Sequence, residues 1–172
     1  MSRECGTCTL CCKVMGIEEL EKPRGVWCDH AMPGRGCAIY DARPHSCRVF
    51  SCLWLLDTAL GEEWKPEKSK LVIVPDNDGR ATRVYVDAAS PDAWKREPYR
   101  STLLDFMQNG IAEGRLVFIN IGIRHGLLLP DPKAGWRLED LGTLHAGDEV
   151  RLKRAGYPFA THYQVEVVRR SV

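Results

Sequence analysis

All eight cysteines of this 172-residue chain lie within its first 52 residues. An even number of cysteines is compatible with a disulfide framework, but disulfides persist in oxidising compartments. The N-terminal sequence MSRECGTCTLCC lacks the apolar stretch of a secretory signal, so we expect a cytoplasmic protein. Cys11 and Cys12 are adjacent, and neighbouring cysteines bridge each other only with considerable strain. The pattern therefore favours metal ligation over disulfides or unrelated buried thiols.

The cysteines have the spacing of metal ligands. Two residues between cysteines allow one turn to direct two thiolates at the same ion. If the first motif is helical, Cys5, Cys8 and Cys12 share one helix face. This motif alone cannot easily present four thiolates tetrahedrally, so we expect further ligands from the later cysteines. The candidate metal ligands are Cys5, Cys8, Cys11, Cys12, Cys28, Cys37, Cys47 and Cys52.

The second half of the cysteine-rich region changes from turns to a helix. Residues 28–37 are rich in turn formers, and a metal could supply the energy that orders them. Pro44 and Ser46 are typical helix-start residues, and Gly61 is a typical stop. Between them an apolar repeat at helical spacing predicts one helix, with Cys47 in its first turn and Cys52 facing the core; the repeat comprises Val49, Cys52, Leu53, Leu56 and Leu60.

Four other residues of this region are candidates for contacts beside the metal ligands. His30 and His45 could ligate a metal, but the cysteines already fill the coordination number, so we expect the histidines beside the ligands or in solvent. Arg43 and Arg48 flank the cluster. A guanidinium can hydrogen-bond a thiolate and offset its charge, and either arginine could equally be an ordinary surface residue.

These motifs resemble a known family. The elements CxxCxxCC, a separate cysteine and GCxIYxxRPxxCRxFxC are similar to those of a cysteine-cluster family described as zinc- or iron-chelating, which also occurs in proteins similar to flagellin lysine-N-methylases. The resemblance covers residues 3–56 and implies a metal-binding module, mostly bacterial and of unassigned biochemical role. It implies no reaction. The matching residues are Cys5, Cys8, Cys11, Cys12, Cys28, Gly36, Cys37, Ile39, Tyr40, Arg43, Pro44, Cys47, Arg48, Phe50 and Cys52.

The ligand type does not by itself identify the metal. Thiolate sites suit both zinc and iron–sulfur clusters. Eight thiolates could close two zinc sites, hold a bridged pair of ions, or ligate one cluster with four thiols left over. The CxxCxxC run is similar to the start of a ferredoxin motif, but the fourth cysteine follows immediately and no proline comes after it. We favour zinc, because thiolate-closed sites in small modules are commonly structural zinc; the alternative is iron or an iron–sulfur cluster.

The remaining sequence predicts an α+β fold. Leu71–Pro75 and residues 82–88 are expected as strands joined by a turn. A helical stretch is expected to start at Ser90, with its main part from Pro98 to Gly110. Further strands are expected at Leu116–Ile121 and at residues 126–130, 149–153 and 162–168. The predicted architecture is a small metal-stabilised module of helices and loops at residues 1–66, packed as a single domain on an antiparallel sheet with one or two helices at residues 67–172.

Composition and motifs exclude several classes of function. The formal charge of +1 predicts neither nucleic-acid nor anionic-membrane binding, and no apolar run is long enough to span a membrane. No phosphate loop, nucleophile elbow or HExxH motif is present, so no catalytic residue is predicted. We expect a metal-binding protein whose cluster is structural or carries metal for an unknown protein partner. The alternatives are a redox or methyl-transfer-associated iron–sulfur protein and a zinc-stabilised interaction module that presents Trp27, Tyr40 and Trp54.

Overall fold

Short elements make up the cysteine-rich part of the fold. The computed structural model describes residues 3–76, 78–155 and 162–169. The N-terminal elements are α1 (Cys11–Val14), β1 (Ala31–Met32), β2 (Gly36–Cys37), α2 (His45–Val49), α3 (Leu53–Leu56) and α4 (Pro66–Ser69). Single turns of 3₁₀ helix lie between them at Glu18–Leu20, Tyr40–Ala42 and Glu62–Trp64. Strands β1 and β2 pair in a two-stranded antiparallel ribbon.

A five-stranded mixed sheet follows, in the spatial order β3-β4-β5-β6-β7. Only the β4–β5 pair is parallel within this sheet, and α5 lies in the crossover connection that such a pair requires. Strands β8 and β9 pair in a separate antiparallel hairpin. The elements are β3 (Leu71–Pro75), β4 (Ala81–Val86), α5 (Tyr99–Gly110), β5 (Leu116–Ile121), β6 (Arg124–Asp131), β7 (Gly135–Gly142), β8 (Glu149–Ala155) and β9 (His162–Val168).

The α+β class expected from the sequence is confirmed, with two differences in the sheet. Its strands are not all antiparallel, because the chain crosses through α5 between β4 and β5 and returns in the same direction. Strand β7 was not predicted, since it is a half-exposed edge strand with charged residues at its centre. The expected helical start near Ser90 is only the 3₁₀ turn Ala93–Lys95.

One face of the sheet packs on α5. Residues in register on neighbouring strands point to the same face, which places Val84 beside Ile119 on β4 and β5. Helix α5 covers this face with Leu103 and Met107, one helical turn apart and both buried. Full burial of a side chain of this size contributes about 1.5–3 kcal/mol. This packing makes the sheet a firm support for whatever lies on its other face.

The β8–β9 hairpin and the cysteine-rich part pack on different regions of the sheet. The β8–β9 hairpin packs on β5 and β6, where Phe118 and Leu127 contact a cluster that includes Val165. The cysteine-rich part packs on the β3–β4 side, where Leu10 and Trp54 join one hydrophobic cluster with residues of both strands. The cysteine-rich part therefore shares its core with the sheet.

Polar contacts also stabilise the cysteine-rich part, both internally and against the sheet. The Arg3 guanidinium donates to the carbonyls of Trp54, at 2.7 Å, and Asp57, at 2.8 Å, and also to those of Thr58 and Leu60. These contacts tie the start of the cysteine-rich part to the segment after Cys52. A separate contact, the Lys13–Asp87 ion pair of 2.6 Å, joins α1 to the residue after β4. In the part of the chain that the structure describes, no helix combines the length and apolar character needed to cross a membrane.

His125 on β6 joins the loop after residue 22 to the sheet. Its Nε2 lies 3.1 Å from Arg24 Nη1, and because a guanidinium only donates, Nε2 must accept. Its Nδ1 lies 3.3 Å from the Gly142 carbonyl oxygen and 3.2 Å from the Leu144 amide nitrogen. Burial lowers the pKa of His125, the Gly142 carbonyl opposes this shift, and the charges of Arg24, Arg83 and His145 lower the pKa further.

We expect the free energy of unfolding to fall as the pH drops through about 6.5, the value of an unfolded histidine. In that range the unfolded chain binds a proton at His125 before the folded chain does, and the loss is complete below the lowered pKa of the folded state. Urea denaturation at several pH values measures this dependence. The variant His125→Gln should remove it, whereas the exposed His145→Gln should keep it. An identical pH dependence in His125→Gln and wild type would contradict the Arg24–His125 contact.

Candidate metal centre

Seven of the eight cysteines line a single cavity of about 220 Å³. They come from four separate stretches of chain and are Cys5, Cys8, Cys11, Cys12, Cys28, Cys37 and Cys47. All eight cysteines are free thiols. Among the described residues, no Asp or Glu lines this cavity, and the rest of its wall is mainly apolar. The fold therefore concentrates sulfur donors that are distant in sequence.

Cys52 lies outside this cavity but next to it. It is 6% exposed and belongs to the hydrophobic core at the start of α3. A smaller cavity of about 20 Å³ is lined by Cys52 together with Cys5, Cys8 and Cys11. The eighth cysteine thus lies on the core side of the first motif, and the predicted core-facing position of Cys52 is confirmed.

The CxxCxxCC motif forms a turn followed by a helix. The amide of Cys8 donates to the Cys5 carbonyl at 2.9 Å, and α1 begins only at Cys11. Gly6 has a φ of +54°, in the left-handed region, and a right-handed helix cannot pass through this conformation. The prediction that Cys5, Cys8 and Cys12 share one helix face was therefore wrong. The turn instead brings the first two cysteines to the cavity beside the helix.

The predicted helix after Pro44 is two helices. Helix α2 ends at Val49, the backbone is extended at Phe50 and Cys52, and α3 begins at Leu53. The apolar repeat does not form one buried face, since Val49 is 63% and Leu56 58% exposed. Cys47 on α2 lines the cavity, and Cys52 at the start of α3 lies in the core.

Residues 17–22 form a loop that contacts both cysteine-bearing helices, and sequence reasoning missed it. The Glu19 carboxylate accepts from the amide and hydroxyl of Ser46, at 3.0 and 2.7 Å, at the start of α2. These bonds lower the pKa of Glu19. At the other end of the loop, Lys22 Nζ donates to the carbonyls of Lys13, at 3.0 Å, and Met15, beside the end of α1. No motif marks these residues, because their partners lie on other segments.

The β1–β2 ribbon brings Cys37 to the cavity by a close backbone approach. Gly36 is buried and has a φ of +105°, and a Cβ atom at this position would lie 3.0 Å from the Gly6 carbonyl oxygen. Glycine is required here both for its backbone conformation and for this contact. Nearby, the amide of Cys28 donates to the Cys12 carbonyl at 3.0 Å. Backbone contacts therefore hold the cysteine-bearing segments together.

The thiols differ in pKa, because burial raises most of the values and a hydrogen bond between Cys11 and Cys12 shifts these two in opposite directions. Desolvation raises the pKa values of Cys5, Cys8 and Cys47. The Cys11 thiol donates a hydrogen bond to Cys12, which raises the pKa of Cys11 and lowers that of Cys12 to about 7. Lys22 and Arg43 lower the pKa of Cys12 further, against the effect of burial. Cys12 is therefore partly ionised near neutral pH, and a thiolate is the form that binds metal.

The four residues expected beside the ligands divide into two pairs. His30 and Arg43 line the cavity, and the Arg43 guanidinium lies 3.6 Å from the centre of the Tyr40 ring. His45 and Arg48 are exposed and do not line it. Trp27 and Tyr40 are exposed, at 40% and 44%, as an interaction surface requires.

Trp54, the third aromatic residue of the expected interaction surface, does not belong to that surface. Its ring is buried, and its Nε1 donates to the Gly61 carbonyl at 3.2 Å. The Arg3 guanidinium lies over the ring, 4.7 Å from its centre. Trp54 therefore stabilises the core behind the cavity.

The donor set fits a soft metal, although no single-ion site is formed. Among residues 3–76, 78–155 and 162–169, no three His, Cys, Asp or Glu side chains are placed to hold one ion. Zinc–sulfur bonds of about 2.3 Å bring ligand sulfurs within about 4 Å of one another, so ligation of a single ion would require the thiols to move closer together. Thiolates without carboxylates suit zinc, copper(I) or iron–sulfur clusters and not magnesium or calcium.

Comparison with known proteins gives no relative. No protein-family model, no curated protein and no solved structure matches this chain significantly.

The close approach of Gly36 to Gly6 predicts unequal effects of two alanine substitutions. Gly34→Ala should lower the free energy of unfolding by about 1–2 kcal/mol, the cost of a left-handed conformation. No steric cost is added there, because a Cβ atom at Gly34 would have no neighbour within 4 Å. Gly36→Ala should cost about 1–3 kcal/mol more, since its Cβ also crowds the Gly6 carbonyl. Urea denaturation of both variants measures the difference. Equal losses would show that the ribbon does not depend on this contact.

Proposed function

We propose that this chain binds metal through the thiolates of the cysteine cavity, with zinc as the favoured ion. The observation that carries the proposal is the convergence of seven free cysteines from four stretches of chain on one cavity, which no carboxylate among the described residues lines. Unrelated thiols would have no reason to share a cavity, whereas metal ligands must. Thiolates from separate stretches are typical of zinc sites that stabilise a small module.

The charges around the cavity support the proposal. Several thiolates in one desolvated place repel each other: in addition to burial, the charges of Cys52, Cys8 and Cys12 raise the pKa of Cys5. A bound cation removes this repulsion, and the thiols release protons when it binds. Arg43 on the cavity wall also lowers the pKa values of Cys5 and Cys12. The site therefore favours a cation with a strong preference for sulfur.

The cavity volume favours a second candidate, an iron–sulfur cluster. A space of about 220 Å³ is larger than one ion needs, and the sulfurs are not placed for one ion. A cluster or a thiolate-bridged pair of ions spans more of the cavity and reaches ligands on opposite walls. Iron, sulfide and visible absorption near about 400 nm in anaerobically purified protein would identify the cluster; zinc without visible absorption would identify the first candidate.

The biological role we propose follows from the site and from the resemblance to the cysteine-cluster family. A zinc centre closed by four thiolates has no open position for catalysis, so its role is structural or the carriage of metal to a protein partner. Zinc would supply ordering energy to a segment that is rich in turns. An iron–sulfur centre would supply electron transfer in a redox or methyl-transfer system. We place either role in the cytoplasm, where cysteines stay reduced.

Serine substitutions test the ligand assignment. Cys8→Ser and Cys12→Ser replace a thiolate with a hydroxyl that stays protonated, so metal affinity should fall by more than the roughly 10–100-fold cost of losing an outer contact. Elemental analysis and competition with a chelator measure the loss. Cys52→Ser is the matched control, because Cys52 lies outside the main cavity; it should lower stability but retain metal.

Two outcomes would contradict the proposal. Full metal content in both Cys8→Ser and Cys12→Ser would show that the first motif does not supply ligands. Wild-type protein without stoichiometric metal, purified under anaerobic conditions, would refute metal binding altogether.

A further inference from the structure

Lys22 is a buried cation without a carboxylate partner in the part of the chain that the structure describes. Lys22 is 8% exposed. Among the described residues, its Nζ donates only to the carbonyls of Lys13 and Met15. Lysine is almost never fully buried unless it is paired. Two other lysines near the cysteine-rich part do have such partners: Lys13 pairs with Asp87 at 2.6 Å and Lys65 with Glu67 at 2.9 Å.

The groups that raise the pKa of Lys22 are cysteines. Burial lowers the pKa of Lys22, and the thiolate forms of four cysteines oppose this shift. In order of effect they are Cys28, Cys12, Cys11 and Cys47. These cysteines come from three separate stretches of chain, and all four line the main cavity. Lys22 lies next to the cavity, because its Nζ donates to the Met15 carbonyl and its backbone pairs with Ile17, and both of these residues line the cavity.

A thiolate metal centre needs positive charge in its surroundings. A divalent ion held by four thiolates keeps an excess of negative charge, and burying a net charge is costly unless it is paired. Arg43 is one candidate counter-charge, but its Nε donates to the Tyr40 carbonyl at 2.7 Å and its guanidinium stacks on the Tyr40 ring. Lys22 is more deeply buried than Arg43, and its ammonium does not stack on an aromatic ring in the part of the chain that the structure describes.

We infer that Lys22 is a positioning residue of the metal centre, which supplies the buried counter-charge for its thiolates and thereby sets metal affinity. This inference rests on the proposed function. The two carbonyl contacts hold the ammonium in place at the end of α1, next to the ligands Cys11 and Cys12, and the charge stabilises the thiolates there. A helix cap alone would need the donor but not the charge, and this difference can be tested.

The test separates charge from hydrogen bonding, with zinc(II) as the only metal and the full chain. Lys22→Gln removes the charge but keeps a donor for the carbonyls, and Lys22→Arg keeps both. We expect Lys22→Gln to lose zinc to a chromogenic chelator about 10–100-fold faster than wild type. Lys22→Arg should stay close to wild type. The measurement starts from protein purified with zinc bound, so it requires no folded zinc-free state.

Lys70→Gln is the matched control. Lys70 Nζ also donates to a backbone carbonyl near a helix end, that of Glu67 at 2.7 Å, but Lys70 does not line or face the cysteine cavity. Its replacement should lower the free energy of unfolding, measured by urea denaturation, without changing the rate of zinc loss. Lys22→Gln should change both quantities.

Equal rates of zinc loss from Lys22→Gln and wild type would overturn the inference and leave Lys22 as a helix cap. A Lys22→Gln chain that does not fold even with excess zinc would also overturn it, because a missing counter-charge weakens metal binding but leaves the zinc-saturated fold intact. Wild-type protein that retains no zinc would instead refute the proposed function. The two failures are therefore distinguishable.

Discussion

The short loop of residues 17–22 holds the candidate centre together. It pairs with itself through backbone bonds between Ile17 and Lys22. From this fixed base, Glu19 contacts the start of α2 and Lys22 contacts the end of α1. Because the two helices carry Cys47 and the Cys11–Cys12 pair, the separation of their thiols depends on one loop. A carboxylate at a helix start and an ammonium at a helix end are each favourable to the helix dipole.

The sheet gives this loop and its helices a rigid support. Helix α5 and the cysteine-rich part share one hydrophobic cluster with the sheet, and the β8–β9 hairpin packs on a second one. The cysteine-rich part is then attached by apolar packing at Leu10 and Trp54 and by the Lys13–Asp87 ion pair, while Arg3 joins two segments within it. Short helices of four or five residues are not stable alone, so these tertiary contacts are what keep the cysteine-bearing segments in place. A metal would add to an arrangement that already has a core.

Sequence reasoning predicted the regular elements well and the cysteine geometry poorly, for physical reasons. Strands such as Leu116–Ile121 and the helix Tyr99–Gly110 have strong local patterns that packing does not override. The CxxCxxCC motif has helical spacing, but the left-handed Gly6 interrupts it. The spacing of Val49 and Leu56 suggested one helix, yet both side chains are exposed.

The contacts that organise the cavity could not be predicted, because each joins residues far apart in the chain. Glu19 meets Ser46, and Gly36 meets Gly6, and neither pair has a local signal. The role of Lys22 could not be predicted for the same reason, since it depends on the burial of this residue and on its proximity to cysteines from three segments. What the spacing did indicate is that the cysteines act as a group, and seven of them share one cavity.

X-ray absorption spectroscopy at the metal edge of anaerobically purified protein tests the central claim most directly. The account predicts stoichiometric metal with a first shell made only of sulfur, at about 2.3 Å for zinc. A metal neighbour in the second shell would identify a cluster or bridged pair that fills the cavity. A first shell of nitrogen and oxygen, or the lack of any stoichiometric metal, would contradict the assignment of the cysteine cavity as a metal centre.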